Sequence, residues 1–236
     1  MTDGSRRQEI AQGLEDVRAR IARACQDAGR SPDEVTLVVV TKFFPASDVR
    51  HLADLGVHHV AENRHQEAAA KHEECADLGL TWHFVGGLQS NKAAAVGGWA
   101  DVVQSVDRAR LLSGLARAAR ERERPLDVTV QVSLDPPDER GARAGVAPDQ
   151  IDELVDKVLD SEGLVLRGVM AVAPLGADPD EAFARLAGLA AQVRARAPRA
   201  TWLSAGMSAD LEHAVRRGAT HVRVGSAVLG NRPPRR

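Results

Sequence analysis

The chain of 236 residues is 44% hydrophobic and 27% charged, with a formal net charge of -2. This is the balance of an ordinary globular protein, and the length suits one α/β barrel of about 250 residues or two domains of about 100. Arginines are scattered among acids on helical faces, so no basic stripe offers itself to a polynucleotide. No apolar run approaches the roughly 20 residues of a membrane-spanning helix. The polar start at residues 1–7 lacks the apolar stretch of a secretory signal, and Cys25 and Cys75 form no CxxC pair. The expectation is a cytoplasmic protein without a disulfide framework or a metal site.

In chain order, apolar residues at Ile10, Leu14, Val17, Ile21 and Ala24 predict a leading helix over 5–28, closed by Gly29. The β-branched run VTLVVVT at 35–41 predicts a strand buried on both faces, as a parallel sheet requires. Seven further strands are predicted at 58–62, 81–85, 102–106, 128–134, 166–172, 201–204 and 221–224. Helical composition fills 46–55, 66–77, 92–99, 108–122, 148–160, 180–196 and 208–216. These alternating units, with no linker-like break, predict a single TIM-type (β/α)8 barrel with an extra N-terminal helix. One domain then covers 1–236, with the leading helix in 1–30 and the barrel in 35–232. A doubly wound open sheet is the alternative, because strand count does not prove closure. The irregular stretch 135–144 (DPPDERGARA) is expected to be a mobile loop at the C-terminal face, and 233–236 a frayed end.

Working groups in such barrels project from the C-terminal strand ends. Lysine is scarce here, yet Lys42 directly follows VVVT, where its side chain can enter the barrel mouth. Either it is a strand-end lysine reaching solvent, or it is a desolvated amine able to attack an aldehyde and form a Schiff base. The seventh strand runs into Ser204, Gly206, Met207 and Ser208, and the eighth carries Arg223 and runs into Gly225 and Ser226. Loops after strands seven and eight are a frequent phosphate position in these barrels. Ser208 is expected to cap the helix that follows, and Gly206 to let the backbone approach an anion. Each Gly and Ser pair alone reads as a turn; both together at the two expected strand ends read as an anion cup. A lysine facing such a cup points to a phosphorylated carbonyl ligand.

Two more strand residues are candidates. Asn63 closes the second strand, where its amide can bond a phenolic or carbonyl oxygen or simply hold a turn. His83 lies between Trp82 and Phe84 and points into the barrel if those neighbours pack outward, either beside the ligand or as a satisfied core histidine. Ser90 or Asn91 is expected to cap the fourth-strand-preceding helix, and His51, His58 and His59 lack partners at metal-ligand spacing.

The blocks VVVTKFFPASDV, AENRHQE, WHFVGGLQSNK, LSAGMSADLEHAV and VRVGSAVLGNR occur in order from about residue 35 to 232. Together they resemble the YggS/PROSC-type pyridoxal phosphate homeostasis proteins. The resemblance implies an alanine-racemase-like barrel holding pyridoxal 5'-phosphate (PLP) as a Schiff base on Lys42. It implies that the phosphate lies around Ser204, Gly206, Met207, Ser208, Gly225 and Ser226, with Arg223 near the pyridine nitrogen. It further implies a protein that buffers or delivers PLP in vitamin B6 homeostasis with little or no turnover, apo forms of PLP-dependent enzymes being the acceptors. The chain departs from the family pattern at Arg64 for tyrosine, Gly87 for histidine, Ala205 for methionine, Leu229 for phenylalanine and Arg143 for lysine. These departures put in doubt the ligand contacts near Asn63 and Gly87.

A PLP-dependent racemase or decarboxylase is one alternative function, and a Schiff-base aldolase-like barrel another. Against the first, the chain contains no tyrosine, whereas a racemase of this type sets a lysine and a tyrosine on opposite faces of the cofactor and closes its site with a second β domain. An arginine beside the pyridine nitrogen also disfavours ring protonation and weakens the ring as an electron sink. The aldolase would need an acid-base pair beside its lysine. Monomer and weak homodimer both remain open.

Overall fold

The computed structural model describes residues 3–136 and 144–231. Most of the stretch 135–144, Arg143 and the tail 233–236 therefore lie outside the described residues. Strand β1 (Thr36–Val40) pairs in parallel with β2 (His59–Glu62) on one side and with β8 (His221–Val224) on the other, with Val39 opposite Val60 and Thr36 opposite His221. Between them β3 (Thr81–Phe84), β4 (Val102–Val106), β5 (Leu126–Gln131), β6 (Leu164–Met170) and β7 (Trp202–Ser204) follow in sequence order, and the sheet closes. Closure is the barrel expected from the alternating pattern and removes the open-sheet alternative. Helices α2 (Ala46–Asp54), α3 (His65–Glu74), α4 (Ala93–Gly97), α5 (Leu112–Glu121), α6 (Ile151–Leu159), α7 (Pro179–Arg196) and α8 (Leu211–Arg216) follow the first to seventh strands, and a short α9 (Ser226–Leu229) follows β8. No described helix is long and apolar enough to cross a membrane.

The ends of several elements differ from the sequence expectation for identifiable reasons. Single 3₁₀ turns at Ser90–Lys92, Ala109–Leu111 and Pro148–Gln150 lead into α4, α5 and α6. Gln89, not Ser90 or Asn91, sits at the start of the first of these turns, and no side chain caps it. β5 ends at Gln131; Val132 still donates to Met170 O at 2.9 Å but bridges on its other side to Val146.

The leading helix α1 (Asp3–Asp27) buries one stripe, Ile10, Leu14, Val17, Ile21 and Ala24. Each buried Ile, Leu or Val side chain contributes about 1.5–3 kcal/mol. The polar rim of α1 reaches the other end of the chain: Arg20 pairs with Glu212 at 2.6 Å and donates to Ser208 O at 2.9 Å, and Arg6 donates to Leu229 O at 2.9 Å. The barrel strands alternate between helix-facing and inward residues. Trp82 and Phe84 face outward and meet Trp99 edge-on at 6.4 and 6.2 Å between ring centres. The residues between them in sequence parity, His83 and Val85, face the barrel axis, as do His221, Arg223 and Gly225 along and just beyond β8. This two-residue alternation stacks the interior in layers.

Candidate functional site

A cavity of about 390 Å³ opens at the C-terminal ends of the strands. Val40, Lys42 and Phe44 form the β1 wall, and Met207, Ser208, Gly225 and Ser226 form the wall beside it, beyond β7 and β8. Asn63 and Val85 lie at one side, Gln131, Met170 and Val172 at the other, and Arg223 also lines the cavity. Seven of the ten candidates from the sequence thus meet in one place: Lys42, Asn63, Met207, Ser208, Arg223, Gly225 and Ser226.

The remaining three do not line the cavity, His83 and Ser204 because of their layer and Gly206 because of the turn it makes. His83 is fully buried one layer below the mouth; Val85, two residues on, on the same face and just past the end of β3, is the residue that reaches the cavity. Its ring lies 3.0 Å from His59 and 2.8 Å from the Gln104 amide, so it is a hydrogen-bonded core histidine. Ser204 is also fully buried. Its hydroxyl donates to Gln104 Oε1 at 2.6 Å and accepts from Arg223 Nη1 at 2.6 Å, so it anchors the arginine instead of an anion. Gly206 serves the turn: its φ is +89, and a Cβ there would stand 2.7 Å from Ala214 Cβ. Glycine is required both for the left-handed backbone and for the approach of α8.

The amine wall is held by buried charge. Glu62 closes β2 with 0% exposure, and Lys71 of α3 is 5% exposed. Lys71 Nζ donates to Glu62 Oε1 at 2.5 Å and to Thr41 O at 3.0 Å, while the Thr41 hydroxyl donates to Glu62 Oε1 at 2.7 Å. On the far side of Lys42, the Phe43 amide donates to Glu67 Oε1 at 2.7 Å. Phe43 has a φ of 71, a left-handed conformation costly for a residue with a side chain. Both peptide neighbours of the half-buried Lys42 are thereby pinned. Burial lifts the Glu62 carboxyl above the ordinary carboxylate range, and Lys71 and Thr41 pull it part of the way back.

The adjoining wall is made of turns and hydroxyls. Asp210, not Ser208, organises the loop: its Oδ1 accepts from the Met207 amide at 2.6 Å, and α8 begins only at Leu211. Ser208 Oγ is left at the cavity, 3.3 Å from Ser226 Oγ, and accepts the Ala227 amide at 3.4 Å. Gly225 has Val40 O at 3.1 Å from where a Cβ would be, so a side chain would press β8 against β1.

Two polar groups of the cavity call for a ligand. Arg223 is 4% exposed and bonds Ser204 and Ala171 O, with no ion pair among the described residues. Desolvation pulls its pKa down to about 10, against a smaller upward pull from Asp210. Asn63 Oδ1 is buried without a hydrogen-bond partner among the described residues, and a buried orphan acceptor is costly unless something donates to it. A phosphorylated, aromatic aldehyde with a ring nitrogen and a phenolic oxygen matches this set of amine, guanidinium, amide and hydroxyls.

The departures from the family pattern fall mainly beside the cavity. Gly87 and Arg64 line a neighbouring groove of about 560 Å³ with His65 and Lys92, sharing only Asn63 with the main cavity. The Arg64 guanidinium sits 4.9 Å over the Phe43 ring. What sequence reasoning missed is the Glu62, Lys71 and Glu67 network. Its one local trace is the acid closing the otherwise apolar HVAE run.

Comparison with known proteins gives the same direction. The family described as alanine racemase, N-terminal domain matches residues 14–233. A pyridoxal phosphate homeostasis protein of Mycobacterium tuberculosis is 45% identical, over 96% of this chain and 94% of the relative. The protein of the same name from Escherichia coli K12 is 35% identical over 95% and 97% of the two chains. PipY of Synechococcus elongatus PCC7942, solved with PLP bound, is 36% identical and superposes with a TM-score of 0.81, covering 94% of this chain and all of that one. The chain belongs to the alanine racemase N-terminal domain family and, within it, to the pyridoxal phosphate homeostasis proteins.

Proposed function

We propose that this chain binds PLP in the strand-end cavity, attached through Lys42, and that it buffers the cofactor or hands it to apo enzymes in the cytoplasm instead of using it for turnover. The observation that carries the reading is Arg223, a buried cation lining a cavity that also holds a pinned lysine and two hydroxyls beyond β7 and β8. When bound, PLP supplies an aldehyde that condenses with an unprotonated amine, a phosphate dianion and a pyridine nitrogen able to accept a hydrogen bond.

The chain's own residues have separate tasks. Lys42 presents its amine from a backbone fixed at Thr41 and Phe43. Ser208 and Ser226 offer hydroxyl donors to the phosphate, with the Gly225 backbone between β8 and Ser226. Asn63 is placed for the phenolic oxygen. Arg223 can only donate, so it keeps a proton off the ring nitrogen and limits the ring's capacity as an electron sink. Among the described residues that line the cavity none is Asp, Glu, His, Cys or Tyr. A racemase, decarboxylase or aldolase needs a second proton-exchanging group opposite the amine, and such a group is worth about 10² to 10⁴ in rate. This supports holding over turnover.

The test is spectroscopic and chemical. Purified protein given PLP is expected to show imine absorbance that Lys42→Ala abolishes without loss of fold. Borohydride reduction and peptide mapping should place the pyridoxyl group on Lys42; finding it on Lys71, Lys92 or Lys157 overturns the attachment. Holo-protein should transfer PLP to apo enzymes faster than it releases PLP to solution, and turnover of amino acids at about 1 s⁻¹ or more would make it an enzyme.

A further inference from the structure

Below the cavity the barrel interior is polar in one continuous line. Arg223 of β8 donates from Nη1 to Ser204 Oγ of β7 at 2.6 Å, and Ser204 donates to Gln104 Oε1 of β4 at 2.6 Å. Gln104 Nε2 lies 2.8 Å from His83 Nδ1 of β3, and His83 Nε2 lies 3.0 Å from His59 Nδ1 of β2. Arg223, Ser204, Gln104 and His83 are all buried, and His59, at the start of β2, borders a groove at the opposite mouth of the barrel.

The direction of every bond in this line follows from its first member. A guanidinium only donates, so the Ser204 oxygen accepts there and spends its single proton on Gln104 Oε1. The Gln104 amide then has only N–H left for His83, which makes His83 Nδ1 an acceptor and puts its ring proton on Nε2. That proton goes to His59 Nδ1, leaving His59 protonated on Nε2 as well. Turning the Gln104 amide over would set its N–H₂ against a serine oxygen whose own proton then loses this acceptor. The forward direction uses every group; the reversed one strands the serine proton. Depressed histidine pKa values agree: His83 is held well below its ordinary value by burial, with His59, His221 and Arg223 adding repulsion.

We propose that Gln104 is a positioning residue for Arg223, acting through Ser204, and that the same line of donors locks His83 and His59 as their Nε2–H tautomers. The guanidinium is fixed on one edge by Ser204 and Ala171 O, which turns its remaining N–H groups toward the cavity. The effect on PLP rests on the function proposed above; the fixing of Arg223 and of the tautomers does not.

Two arms separate those failures. In ligand-free protein with ¹⁵N-labelled histidine and arginine, NMR should find the His83 and His59 protons on Nε2 and a slowly exchanging Arg223 guanidinium signal. Gln104→Leu and Ser204→Ala should each broaden or average that arginine signal while thermal unfolding still shows a folded protein. A wild-type His83 proton on Nδ1, or an Arg223 signal indifferent to both substitutions, overturns the proposal whether or not PLP binds. In the second arm, each variant should bind PLP about fivefold to tenfold more weakly with a moved visible absorption maximum, as loss of one hydrogen bond predicts. Because both act on the same guanidinium, the double variant should lose no more than either single one. Additive losses with an unmoved maximum refute action through Ser204. Failure of wild-type protein to bind PLP removes the function proposed above and leaves the first arm to decide this one.

Discussion

The two adjoining walls of the cavity, on β1 and beyond β7 and β8, are built by opposite means. The amine wall is fixed by a buried salt bridge and a strained backbone: Lys71 and Glu62 are almost out of water, and Phe43 is held at positive φ by a carboxylate. The wall proposed to take the anion is built from a turn held by Asp210, two hydroxyls and the 40% exposed Met207. A covalent attachment needs one amine at one angle, and a rigid support suits it. A phosphate has several equivalent oxygens, so a ring of donors with some freedom still satisfies it. Substitutions on the first wall should therefore register as stability, and those on the second as affinity.

The sharpest attempt to break this comparison is Lys71→Met. It leaves Glu62 buried without its cation, and removing one partner of a buried pair costs about 3–5 kcal/mol. Chemical denaturation should show that loss, and Glu62→Gln combined with Lys71→Met should recover part of it. Little loss in the single variant would mean that the amine wall is no more rigid than its counterpart.

A second test addresses the layer beneath both walls. Burial lowers His83 well below 6.5 and His221 to about 3 in the folded protein. As pH falls below 6.5 the unfolded chain takes up protons at both rings that the folded chain refuses. Stability is thus complete above 6.5 and declines toward pH 3, the window set by His221, at up to about 1.4 kcal/mol per pH unit for that residue, with His83 acting in the same direction. Denaturant midpoints measured across this window should slope accordingly, and His221→Gln should flatten the slope. A flat profile in the wild type would show that the floor carries no such titration.

The smallest effect should come from the anion wall. Ser208→Ala removes one charge-assisted hydrogen bond, expected to weaken PLP binding about tenfold while leaving unfolding nearly unchanged. Pyridoxal without phosphate should be affected far less by the substitution. Equal losses for both ligands would move the phosphate elsewhere.

How far the sequence revealed this site depends on the range of the interaction. Strand ends are local features, so VVVT followed by Lys42, and the Gly and Ser residues after the last two strands, identify the mouth and its two walls. Depth along a strand is not local. His83 and Ser204 lie one layer too low because closure and register decide which of two same-face residues reaches the opening, and no window of sequence contains β1 against β8. Ser208 was expected to cap a helix that in fact starts three residues later, with Asp210 taking the loop instead. Glu62 and Lys71 meet only when α3 folds back on β2. Charge pairs of that kind leave almost no signature beyond an acid where an apolar residue would do.

Gly13 lies inside α1, where glycine costs about 1 kcal/mol relative to alanine. A methyl group there would stand 2.5 Å from Val228 O. Helix α1 thus carries a notch cut for the short helix after β8, its partner at the far end of the barrel in sequence. Most of the cover for its apolar stripe comes from α8 and α9, with α2 supplying the rest. The contacts that seat α1 therefore join segments far apart in sequence, the kind that slows folding most.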